Sequence, residues 1–61
     1  MTTQRYQFQN DGGDHGESDD LDDLKAPADL VARAGMWQEI TDQTTGKRVV
    51  RTGHGEWTPT N

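Results

Sequence analysis

Apolar side chains are scarce in this chain, and their shortage limits its fold more than any other feature. Only 28% of the 61 residues are hydrophobic, and the mean hydropathy is −1.12. A core built from so few side chains supplies roughly 3–5 kcal/mol of stability. The chain has no cysteine, so neither disulfides nor thiolate-bound metal make up the difference. A multilayered enzyme fold, a dinucleotide-binding α/β unit and a membrane-spanning helix are excluded on these grounds. One small domain is the upper limit.

Charge divides the chain. Residues 11–29 hold eight acids (Asp11, Asp14, Glu17, Asp19, Asp20, Asp22, Asp23 and Asp29) against Lys25 alone, a local charge of −7. Residues 30–61 are close to neutral, and the whole chain carries −5. Duplex nucleic acid is a poor partner for such a chain, because phosphate neutralisation by Lys and Arg dominates that affinity. A basic protein surface is the natural counterpart. The first ten residues lack the apolar run of an export signal, and the expected location is cytoplasmic.

The order of residues then suggests an arm followed by a module. Residues 1–10 are polar and read as a flexible tail. Tyr6 and Phe8, two apart, would share one face if the segment instead joined the sheet as an edge strand. Residues 11–20 have three glycines and no apolar side chain, a composition that reads as disordered. Ser18 can cap a helical turn carrying Leu21 and Leu24, which Pro27 is expected to end. A better-punctuated helix begins at Pro27, with Asp29 in its first turn, Arg33 in its last and Gly35 just beyond. Its alternative is an extended lead-in to the first strand.

From Met36 the period becomes that of β-structure. Met36–Thr41 and Arg48–Thr52 are β-rich runs, and the loop between them places Gly46 late, as an αL bulge requires. Gly53-His54-Gly55 makes a second tight turn into Glu56-Trp57-Thr58, and Pro59 closes that strand. The expected class is small α+β or mainly β. It comprises a disordered acidic arm (1–26), then one short helix with a three-stranded antiparallel sheet (27–61).

No catalytic residue, metal ligand or cofactor site is expected, and the chain reads as a non-enzyme. His15 falls in the acidic arm and His54 in a glycine-flanked turn, neither of them a desolvated cleft. Asp11–Asp22 has the length of a calcium loop with glycine at its sixth position. Gly13 and His15, however, occupy places that need acids or Asn, and Asp22 replaces the closing Glu.

Trp37 and Trp57 supply much of the available apolar area and read as core, or as one core residue and one partner anchor. Trp37, Thr45-Gly46-Lys47-Arg48, His54 and Trp57-Thr58-Pro59 together resemble, in part, a WW domain over about half the chain. That resemblance implies three strands and recognition of proline-rich peptides beside the second Trp. Val49 and Val50 stand where its aromatic pair would be, the second loop is shorter than usual, and Pro59 follows Trp57 by two residues rather than three.

The function expected is that of a small non-enzymatic protein-binding regulator or inhibitor. Trp37, Trp57, Arg48 and Arg51 would contact a larger protein partner. Asp19, Asp20, Asp22 and Asp23 would steer the chain to that partner's basic surface, or compete there as a nucleic-acid mimic. The alternative is a small nucleic-acid-binding β module using Lys47, Arg48, Arg51 and Trp57, with the acidic arm as its autoinhibitor.

Overall fold

A computed structural model describes residues 4–60. The elements are β1 (Tyr6–Asn10), β2 (His15–Ser18), α1 (Leu21–Val31), β3 (Trp37–Asp42), β4 (Arg48–Thr52) and β5 (Thr58–Pro59). The strands form one antiparallel sheet in the order β2-β1-β3-β4-β5. The class is therefore α+β, with five strands rather than the expected three.

The expected disorder of the acidic arm is overturned by backbone pairing. Tyr6–Asn10 is an interior strand, matched to β2 from Tyr6↔Ser18 to Gln9↔His15 and to β3 from Tyr6↔Asp42 to Asn10↔Gln38. The β1–β2 turn is built by its own polar groups. The Asn10 amide donates to the Asp14 carbonyl (3.2 Å), the Asp14 amide donates to Asn10 Oδ1 (3.0 Å), and Gly13 takes the positive φ of 86°. Asp11 ties this turn to the next strand, accepting from the Trp37 amide at 3.0 Å. Hydrogen bonding thus orders a segment that offers almost nothing to a hydrophobic core. Residues 1–3 of the expected tail lie outside the described residues.

The two candidate helical stretches are one helix that runs through Pro27. Asp20, not Ser18, is the N-cap and accepts from the Asp22 amide at 3.0 Å. Ser18 Oγ sits one step back, accepting from the Asp20 amide and donating to Asp23 Oδ2. A proline inside a helix removes one backbone bond and crowds the carbonyl four residues earlier, here that of Asp23. Both residues are on the exposed side, where a carbonyl without an intrahelical donor is hydrated. Leu24 and Ala28, four apart on the inner side, are buried and hold the helix on the sheet across the proline. Asp29 and Arg33, expected at the start and end of a helix, lie in the last turn and beyond it.

The fully buried apolar core is Phe8, Leu24, Ala28 and Ile40, with Tyr6, Leu21, Val31, Val49 and Trp57 packed around it. Register explains why these residues meet: Phe8 is matched to Ile40, and Ile40 to Val49. β2 and β3 run in the same direction on either side of β1, so α1 carries the chain across β1 and its inner face falls over β1 and β2. Met36–Thr52 forms the expected hairpin. Gly46 takes φ 78° in its loop, and its amide donates to the Asp42 carbonyl at 2.7 Å. Gly53 has φ 59°, and a Cβ there would lie 3.3 Å from the Arg33 carbonyl, so a glycine is required twice over. The three strands expected of the C-terminal part are present as β3-β4-β5, but β1 and β2 extend the sheet to five, and the third strand is Thr58–Pro59 rather than Glu56–Thr58.

This topology makes a direct prediction. A fragment of residues 27–61 lacks β1, the pairing partner of β3, and also Phe8 and Leu24 of the core. It is expected to give a collapsed amide NMR spectrum, whereas the full chain gives dispersed signals for both 6–18 and 37–52. A well-dispersed spectrum from the fragment would contradict the central placement of β1.

Candidate partner-binding surface

Arg51 joins the two halves of the molecule. Its side chain is buried, with Nε donating to Gln38 Oε1 and Nη2 to Asp29 Oδ1, each at 2.6 Å. Its guanidinium stacks on the Trp57 ring, 4.5 Å from the centroid. Gln38, itself fully buried, passes the connection on through Nε2 to the Ala28 carbonyl at 2.9 Å. Among the described residues no buried side-chain nitrogen or oxygen is left without a partner. One arginine thus links α1, β3, β4 and the approach to β5, on the side of the sheet that carries the helix.

The opposite side of the sheet is open. Register places Trp37, Glu39 and Thr41 there beside Arg48, Val50 and Thr52. Glu39 is sealed by its neighbours: Oε1 accepts from Gln9 Nε2 at 2.7 Å and Oε2 from Arg48 at 3.4 Å. Trp37 is half-buried on this face and stands outside the core cluster.

The four aspartates occupy one folded corner, the β2–α1 junction. Asp19 accepts from the Arg5 backbone amide at 2.8 Å, Asp20 caps the helix, and Asp22 and Asp23 lie in its exposed first turn. The ion pairs among the described residues are Arg5–Asp42, Arg48–Glu39 and Arg51–Asp29. None of them neutralises this corner. Its field is therefore held at a fixed position, not spread along a floppy arm.

Beside the corner lies an apolar groove of about 210 Å³. Its walls are Tyr6, Leu21, Ile40 and Val49, and its rim carries Asp42 and Lys47. Asp42 is occupied by Arg5, whose Nε and Nη2 reach its two oxygens at 3.3 and 3.0 Å. The Arg5 hydrogen bond is the largest influence on the Asp42 carboxyl and holds it at a pKa of about 2, outweighing the effect of burial.

The sequence-derived candidates thus separate. Asp19, Asp20, Asp22 and Asp23 are together and exposed. Trp37 and Arg48 share the open face, whereas Arg51 and Trp57 are on the helix side, bound to each other. The groove residues were not singled out, although the alternation of Tyr6 and Phe8 placed both rings on one face. The Asp11–Asp22 stretch is a turn, a strand and a helix cap, and among the described residues no three His, Asp or Glu side chains group as a metal site. Nor is any described helix long and apolar enough to cross a membrane. No protein-family model, curated protein or solved structure matches the chain.

Two measurements test this geometry. Arg51→Ala leaves Gln38 Oε1 without its donor and uncovers Trp57, and it should lower stability by about 1.5–3 kcal/mol in urea unfolding. Asp29→Asn should cost less than about 1 kcal/mol, because the Asp29 side chain is 61% exposed and its charge is screened. For Asp42, carboxyl carbon NMR should give a midpoint near 2 that returns toward 3.8 in Arg5→Gln. Because the folded value is depressed, the stability from this pair is present above about 3.8 and lost as pH falls through about 2.

Proposed function

We propose that the chain is a small non-enzymatic protein-binding regulator or inhibitor, drawn to a basic surface of a larger protein by its acidic corner. The observation that carries this reading is the fixed cluster of Asp19, Asp20, Asp22 and Asp23, which no cation among the described residues neutralises. A preorganised field of one sign raises association rates and selects partners of the opposite sign. The β2–α1 backbone bears that charge, so an approaching partner meets it without the entropy loss of ordering an arm. Competition with nucleic acid for such a surface follows from the same charge.

The nucleic-acid-binding alternative has less support. Arg51 is buried against Asp29 and Gln38, Trp57 lies under it, and Arg48 is bonded to Glu39, which leaves Lys47 as the cation of that set without an ion-pair partner among the described residues.

The test is kinetic. With a partner isolated by affinity capture, association should slow about tenfold or more between low and high salt. The variant Asp19→Asn/Asp20→Ser/Asp22→Asn/Asp23→Asn retains a capping hydroxyl and should show the slow rate at every salt concentration. Equal association rates for the variant and the parent chain would refute the proposal.

A further inference from the structure

We infer that the groove between α1 and β4 receives a single large apolar side chain, of the leucine, methionine or phenylalanine class, from a basic segment of a protein partner. The inference rests on the reading just given and adds the chemistry of the segment and the direction in which it lies.

Size selects the occupant. At about 210 Å³ the groove is smaller than the roughly 300–1,000 Å³ of sites that enclose a drug-sized molecule. It is large enough for one bulky side chain. Its walls come from four elements: the Tyr6 ring from β1, Leu21 from the start of α1, Ile40 from β3 and Val49 from β4. Three of these four, Tyr6, Leu21 and Val49, stay only partly buried in the free molecule. Covering them would remove further apolar surface from water.

Charge selects what flanks that side chain. Leu21 is the first residue of α1, directly after the cap Asp20 and before Asp22, so the groove's α1 wall belongs to the same helix start as the exposed aspartate cluster, which has no ion-pair partner among the described residues. Across the groove, Lys47 is exposed on the rim, and the nearer acid, Asp42, is occupied by Arg5. The rim is thus polarised, negative along α1 and positive along the loop before β4. A segment with lysines or arginines to one side of its apolar anchor binds with those cations toward α1. A second copy of this chain is a poorer match, because it would bring another −5 of charge to the same surface.

The probes are two short acetylated peptides, Lys-Arg-Lys-Ala-Phe-Ala-Ser-Gly-Ser and its counterpart with serine in place of phenylalanine. Each is titrated into the full-length, methyl-labelled protein. The phenylalanine peptide should shift the methyl signals of Leu21, Ile40 and Val49 and bind at least about tenfold more tightly than the serine peptide. Lys47→Gln, an exposed change outside the core, should tighten binding of both.

If both peptides bind equally and shift only the amides of Asp19–Asp23, the groove inference fails while the acidic-corner reading stands. If neither peptide shifts any signal, both fail. Groove methyl signals that move on dilution without peptide would assign the groove to a second copy and overturn the inference.

Discussion

The pairing of β1 with β3 is the constraint on which the rest of the molecule depends. It joins residues about thirty positions apart and creates a sheet wide enough for a helix to rest on. It also brings Phe8 beside Ile40, without which the core would hold little more than the inner face of α1. The ordering cost of so long a connection is moderate, since loop-closure entropy grows only logarithmically with length. The C-terminal hairpin and the N-terminal third therefore share one sheet and one core.

A core this small cannot cover the sheet with apolar groups, and polar groups complete it. Phe8, Leu24, Ala28 and Ile40 fill one end beneath α1, whereas Gln38 and Arg51 fill the other. Buried polar groups destabilise unless satisfied, and here each has its partners in Asp29, the Ala28 carbonyl and the Trp57 ring. This accounts for the fate of two residues that looked like recognition residues. Arg51 and Trp57 are committed to one another, whereas the aspartate corner, the adjacent groove and the face with Trp37 and Arg48 stay at the surface.

Much of the hairpin from Met36 to Thr52 was legible in advance. Its β-rich runs are punctuated by a glycine at the one loop position that needs positive φ, and its pattern resides in adjacent residues. The N-terminal hairpin was harder to read. Asp11-Gly12-Gly13-Asp14 is a turn signal, but His15-Gly16-Glu17-Ser18 has no apolar residue to reveal a strand. What orders β2 is pairing with β1, and Gly16 brings the strand close beneath Leu24, whose Cδ2 lies 3.6 Å from where a Cβ would stand. Pro27 misled in the same way. Its local penalty is real, but the burial of Leu24 and Ala28 on the opposite side of the helix outweighs it.

By itself the sequence determined the acidic balance, the absence of cysteine, the small supply of apolar side chains and the C-terminal hairpin. Each of these is a property of composition or of neighbouring residues. Tertiary structure alone decided that the acidic third is ordered, that Arg51 faces inward, and that Leu21, Tyr6 and Val49 line one groove beside four aspartates. Those outcomes depend on which strands pair and in what register, and register is set by contacts between residues far apart in the chain.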